Sequence, residues 1–355
     1  MFVENRPVPK SCLPRPVPDL LMPVENRPVP LQCAMQTRGF GRLGWPVSEV
    51  GYGLWGMGGW TGSDDASSTA ALERAIELGC TFFDTALAYG HGHSERLLAP
   101  VLARHRDNQL IVATKIPPKN MKWPALASYP LQEVFPADHM RRSTEESLRN
   151  LGLTSVDLQQ CHVWSDHWAN DPAWQRAVDD LKSEGLIRAF GISVNRWEPG
   201  NVLRALRTGL IDSVQVVYNL FDQDPEDELF PMCRELGVAV IARVPFDEGS
   251  LTGTMTRDMT WPPGDWRNLY FAPDKIGDIL NRVDKLRPDV PADMTMPELA
   301  LRFILANPDV TTVIPGMRRT RNVEANLAVS DGRTLSPETM ARLHRHRWTR
   351  TYVVV

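Results

Sequence analysis

The chain has 355 residues, a formal charge of −4 and a sequence pI of about 6.1. That length can bury a large core, and the interspersed charges lack the basic stripe of a nucleic-acid surface. Five scattered cysteines, Cys12, Cys33, Cys80, Cys161 and Cys233, show no Cys-x-x-Cys spacing, which argues against a disulfide framework or zinc ribbon and for a reducing, cytoplasmic setting. No apolar run approaches the ~20 residues of a membrane helix.

Residues 1–34 carry VENRPVP twice, at 3–9 and 24–30. Pro-rich, with no apolar period and no signal-peptide core, the segment reads as a disordered extension, or as sequence upstream of a start at Met35, rather than as a docking tail. Residues 35–355 form the second unit. Eight short β-rich runs follow one another, at 50–54, 81–84, 110–115, 157–162, 189–193, 213–217, 239–243 and 311–315. Between them lie amphipathic stretches such as SSTAALERAIELG, MRRSTEESLRNLG and PAWQRAVDDLKSEG, each ending in a helix-stopping glycine. Eight strand–helix units predict an α/β fold, a (β/α)8 TIM barrel with its site at the C-terminal ends of the strands. A doubly wound dinucleotide sheet would want Gly-x-Gly-x-x-Gly before a helix, and GYGLWGMGG at 51–59 lacks that register. Long aromatic- and Pro-rich loops follow the third strand (116–139) and the seventh (251–275), where a barrel builds its substrate walls.

The expected strand ends carry a coherent chemistry. Asp84 ends the second strand and Tyr89 follows in its loop; Lys115 ends the third strand and His162 the fourth. Neighbouring strands would bring the four together above one side of the mouth. A phenol is a weak acid at neutral pH, and an adjacent ammonium favours its phenolate. Asp84 would supply the counter-charge of a buried lysine, and a neutral histidine can orient a carbonyl. The bland alternatives are a turn-capping Asp84, a loop tyrosine, a solvent-facing Lys115 and a core histidine. His91, His93 and Glu95 could instead ligate a metal for a barrel hydrolase, but no further His or Asp cluster completes that site, so no metal is expected. Trp55, Trp60, Trp123, Trp164 and Trp168 fall near strand ends, one or two of them expected at the substrate pocket.

These residues carry a resemblance. From Met35 to about Ala328 the chain resembles the aldo-keto reductases, through FFDTALAYGHGHSE, IVATK, VDLQQCH, FGISVN, VQVVYNL, SLTG and VIPGMRRTRNVEAN in that order. The resemblance implies NADPH-dependent reduction of an aldehyde or ketone, with NADH as the other candidate cofactor. Asp84, Tyr89, Lys115 and His162 would be the catalytic tetrad, with Tyr89 the proton donor. Ser193, Asn195 and Gln215 would hold the nicotinamide carboxamide. Gly316 and the following helix start would take the adenosine phosphates, Arg318, Arg319 or Arg321 the 2′-phosphate, and Asn326 the adenine end. Three positions depart from the family pattern: Arg243 stands where an aromatic often stacks on the nicotinamide, to stack there itself or contact pyrophosphate; Ala325 stands where Glu is frequent, with Glu324 one place early; and Asn322 stands where Arg is common. Arg243, Asp247 or Glu248 could select polar substrates. A nicotinamide-binding regulatory subunit with little turnover is the competing reading. The expected partner is a small carbonyl compound, with no nucleic acid or membrane.

Overall fold

A computed structural model describes residues 35–59 and 62–350. The Pro-rich segment 1–34, Trp60 and the apolar end at 351–355 lie outside the described residues. A hairpin of β1 (Thr37–Phe40) and β2 (Trp45–Ser48), not legible as strands from its short polar sequence, opens the fold. The eight barrel strands then follow: β3 (Tyr52–Gly53), β4 (Phe82–Asp84), β5 (Ile111–Ile116), β6 (Val156–Cys161), β7 (Ile187–Ser193), β8 (Ser213–Val217), β9 (Ala239–Arg243) and β10 (Thr312–Val313). Each pairs in parallel with its sequence neighbour. Parallel bridges Val50–Val313 and Gly53–Gly316 return the last strand to the first and close the barrel. Gly53 is required there, because a Cβ would stand 2.6 Å from the Ile314 carbonyl oxygen.

All six residues of β5 are buried, as expected of a parallel strand covered on both faces. The helices that cover it begin and end on local signals. Helix Asp65–Glu77 starts where the Asp64 carboxylate accepts from Ser67 N at 2.7 Å; Pro172–Ser183 starts with Asp171 accepting from Ala173 N at 2.8 Å. Gly79, Gly152 and Gly185, in the left-handed region at φ 90°, 66° and 72°, stop the three helices expected from sequence.

Strand alternation then sorts the barrel interior into two layers. Phe82, Ile111, Ala113, Leu158, Ala189 and Ile241 form an apolar floor, closed from below by Phe40 and Val47 of the hairpin. Two residues further along the same strands and the same faces come Asp84, Lys115, Gln160, Gly191 and Arg243, with His162 and Ser193 beyond. Intervening residues such as Phe83, Val112, Phe190, Ile192 and Val240 pack outward against the helices. The loop after β5 carries a short helix, Leu131–Val134, and the loop after β9 carries a 3-10 turn, Asp247–Thr252, and the helix Arg267–Tyr270.

Phe40 has no exposed surface and stacks on Phe82 and Trp45, each at 5.8 Å between ring centroids. Phe40→Ala is expected to cost about 3–5 kcal/mol of stability in urea unfolding, whereas Leu269→Ala, at a side chain 76% exposed, should stay within about 0.5 kcal/mol. A loss below about 1 kcal/mol for Phe40→Ala would remove the hairpin from the core.

Candidate active site

Lys115 has no exposed surface, yet each of its three donors has a partner. Nζ donates to Asp84 Oδ1, to Thr85 O at 2.9 Å and to Tyr89 Oη at 3.3 Å. The other Asp84 oxygen, Oδ2, accepts from Gln160 Nε2 at 3.1 Å and Gln215 Nε2 at 2.8 Å. Four strands, β4, β5, β6 and β8, thus meet at one carboxylate. Burial pulls the ammonium toward the neutral amine, but Asp84 and then Tyr89 outweigh it and hold the Lys115 pKa above its usual 10.5.

Tyr89 lies in the turn after β4, its backbone fixed by Tyr89 N to Ala86 O at 2.9 Å and Ser94 N to Tyr89 O at 3.3 Å. Its ring is half-buried, unlike Lys115 and Asp84. The ammonium does favour the phenolate, as expected from sequence, but it is not the largest influence: burial pushes the Tyr89 pKa up further, and Asp84 adds to it. Tyr89 therefore stays a protonated phenol at neutral pH, ready to give that proton. His162 follows β6, its ring edge-on to Tyr89 at 5.5 Å and to Trp123 at 4.6 Å. Burial, then the charges of Lys115 and Arg243, hold it well below 6.5, so the imidazole is neutral. Its Nδ1 is buried without a hydrogen-bond partner among the described residues.

The residues expected at the cofactor divide into two groups. Ser193 is buried at the end of β7, in register with Gln215 on β8, but the Gln215 amide is spent on Asp84. Asn195 is likewise committed, its Nδ2 donating to Ala125 O and to Glu198 Oε2, both at 2.9 Å, so that it ties the loop after β7 to the loop after β5. Arg243, by contrast, has among the described residues a single side-chain bond, to Val194 O at 2.9 Å, and its Nε is buried with no partner there. Burial, then the charge of Arg196, bring its pKa down to about 10. Gly316 is exposed beside β3, ahead of helix Thr320–Leu327, whose N-cap Arg319 makes no side-chain cap. Arg318 packs on Gly56 and keeps a buried, unpartnered Nη1; Arg319 and Arg321 are exposed and Asn326 is buried. Glu324 accepts from Arg74 Nε at 2.9 Å.

Guanidinium donors that lack partners among the described residues, at Arg243 and Arg318, and an adjacent helix start without a side-chain cap suit an anionic dinucleotide. Some expectations fall away. His93 bonds Asp65 at 3.0 Å, Glu95 bonds Thr114 Oγ1 at 2.6 Å and Asn150 at 2.8 Å, and His91 is exposed, so the three do not converge. Asp247 and Glu248 are held by Arg350 and Arg196 rather than left for a substrate. Trp164 and Trp168 are core, whereas Trp55 and Trp123 stay 39% and 42% exposed at the mouth. Sequence reading missed Gln160 and the Arg196–Glu248 pair; the even spacing of Leu158, Gln160 and His162 was the available signal for Gln160.

The family profile Aldo/keto reductase family matches residues 49–347. The NADH-specific methylglyoxal reductase of Escherichia coli is 28% identical over 300 residues, covering 79% of this chain and 89% of that protein. The holo form of an aldo-keto reductase from Bacillus halodurans superposes with a TM-score of 0.70 at 26% identity, over 90% of this chain and 98% of that one. An aldo-keto reductase from Klebsiella pneumoniae, solved in complex with NADPH, superposes with a TM-score of 0.64 at 25% identity, over 88% and 95%. With its parallel eight-stranded barrel, its Asp-Tyr-Lys-His group and a profile match across most of its length, this chain belongs to the aldo/keto reductase family.

Proposed function

We propose that the chain is a cytoplasmic, nicotinamide-dependent reductase of aldehydes or ketones in which Tyr89 gives the proton. The observation that carries this reading is Lys115 Nζ, fully buried and bonded both to Asp84 and to Tyr89 Oη. A bound reduced nicotinamide supplies the hydride that the carbonyl carbon must gain. Tyr89 Oη delivers its proton to the carbonyl oxygen as charge builds there. The phenolate left behind lies beside the Lys115 ammonium, which favours it, and Asp84 keeps that ammonium charged. Neutral His162 hydrogen-bonds the carbonyl oxygen and orients it without a charge of its own. Trp123, edge-on to His162, packs against that ring at the mouth. Alcohol oxidation runs the same proton path backwards.

Ser193 and Arg243 are the groups we assign to the nicotinamide end, with Gln215, whose Nε2 is held by Asp84, offering its amide oxygen and Asn195 bracing the loop. Gly316, Arg318, Arg319, Arg321 and Asn326 are assigned to the adenosine end. The three arginines support NADPH as the preferred cofactor; the Escherichia coli relative is NADH-specific, and Asn322 in place of an arginine leaves NADH as the second. Buried free thiols at Cys80, Cys161 and Cys233 support the reducing compartment. Residues 35–355 are taken as one catalytic domain behind the 1–34 extension. A binding-only regulatory subunit draws no support from a site with every proton-transfer group in place.

Tyr89→Phe is expected to lower kcat by about a hundred- to ten-thousand-fold while NADPH affinity, followed by tryptophan fluorescence, stays within about twofold. Turnover surviving at wild-type rate would reassign the proton donor. Because burial and neighbouring cations depress the His162 pKa, the neutral imidazole is present on both sides of 6.5, and kcat/KM for reduction should show no inflection there. An inflection near 6.5 that disappears in His162→Gln would contradict the neutral assignment. Asp84→Asn and Lys115→Met should each cost about 3–5 kcal/mol in denaturation, and the double variant less than their sum, since each single change strands a buried partner. Simple additivity would mean that the pair is not coupled.

A further inference from the structure

Arg350 is only 8% exposed and pairs with two carboxylates, Asp222 and Asp247. Its Nε and Nη2 make a fork onto Asp222, at 2.9 and 2.5 Å. Nη2 also reaches Asp247 Oδ1 at 2.8 Å, and Nη1 donates to Tyr270 Oη at 2.5 Å. Tyr270 in turn donates to Asp247 Oδ1 at 2.5 Å. The guanidinium also stands 5.0 Å from the ring centroid of Trp197. One side chain therefore binds the loop after β8 through Asp222 and the loop after β9 through Asp247 and Tyr270, and leans on the loop after β7 through Trp197.

The loop after β9 needs such a clamp. Val244, Asp247 and Glu248 all have left-handed backbones, at φ 58°, 45° and 57°. Residues other than glycine hold that conformation only where their surroundings fix it, and a β-branched valine least readily. Asp247 is fully buried, so without Arg350 its carboxylate would lose its cation. Glu248, the next residue, holds Arg196, whose guanidinium lies 4.8 Å from the Trp266 ring centroid and 5.0 Å from that of Tyr270. Arg243 ends β9 and is followed directly by the left-handed Val244, so the loop's conformation fixes where that guanidinium stands. Among the described residues, no bond of Arg350 reaches Asp84, Tyr89, Lys115 or His162.

We propose that Arg350 is a positioning residue for cofactor binding: it clamps Asp247 and so sets the loop that follows Arg243 and carries Glu248, the partner of Arg196. The proposal rests on assigning Arg243 to the nicotinamide end. A residue that only stabilised the fold would change the unfolding midpoint and leave binding and turnover of the folded fraction alone. A positioning residue instead separates affinity from chemistry, because the proton path through Tyr89 and Lys115 is untouched.

The test compares full-length wild type with Arg350→Met and Arg350→Lys. NADPH affinity is read by fluorescence, kcat at saturating cofactor with para-nitrobenzaldehyde, and folding by circular dichroism. In Arg350→Met we expect the NADPH Kd to rise at least about tenfold and kcat to change less than about threefold, with millimolar ethylguanidinium restoring affinity; a lysine, a point charge without the planar fork, restores it only in part. A Kd within about twofold of wild type, in a folded Arg350→Met protein, overturns the proposal. So does a Kd loss matched by an equal loss of kcat with no rescue. If Arg350→Met does not fold, Asp247→Asn decides, since it removes the carboxylate that the clamp holds while leaving Arg350 its fork on Asp222: a Kd raised at least about threefold supports the clamp and an unchanged Kd overturns it. Wild type binding neither NADPH nor NADH would defeat the reading of the site itself and this proposal with it.

Discussion

A lysine with no exposed surface stands between a carboxylate and a phenol, and the rest of the mouth is arranged around keeping it charged. Removing an ammonium and a carboxylate from water costs several kcal/mol per ion, so the pair persists only if every remaining lone pair and proton is used. Here they are: Lys115 has Asp84, Thr85 O and Tyr89, and Asp84 has Gln160 and Gln215 on its second oxygen. Charge-assisted bonds contribute about 1.5–3 kcal/mol each, enough in number here to offset that cost. The chemistry follows from the same arrangement. The buried members are fixed and spent on one another, while the half-open Tyr89 and His162 are protonated and neutral respectively, the states that giving a proton and orienting a carbonyl require.

Around that centre, cations are distributed by whether they have partners. Arg196 and Arg350 are neutralised by Glu248, Asp222 and Asp247 and brace the loops. Arg243 and Arg318 bond no carboxylate among the described residues and retain buried unpartnered donors. Ion-paired arginines and arginines with unpartnered donors can thus be told apart by geometry, although the sequence shows only arginines.

What the sequence made legible were features with a local period. The strand runs put Asp84, Lys115 and His162 at neighbouring strand ends, although Gln160, one alternation before His162, went unread, and the glycine stops placed three helices within about two residues of their ends. The hairpin at 37–48 was missed because four-residue strands with mixed polarity have no period to detect. Non-local pairings were missed for a related reason. Nothing near Gln215 announces that its amide is spent on Asp84, 131 positions away, nor does the sequence around Asn195 show its bond to Ala125 O. The tryptophans make the same point, with identical residue types buried at Trp164 and exposed at Trp123. The direction of the Tyr89 pKa needed the fold as well, because burial, invisible in sequence, outweighs the ammonium beside it.

The most direct measurement is to follow isotope rather than rate. Reduction of para-nitrobenzaldehyde would be run with NADPH deuterated at the hydride position of its nicotinamide ring, and the alcohol examined by mass spectrometry and NMR. A single deuterium on the carbinol carbon per turnover, from one face of the ring only, is the result predicted for a nicotinamide held rigidly across this mouth with Tyr89 supplying the oxygen-bound proton. An alcohol without carbon-bound label, or label delivered from both faces, would contradict it.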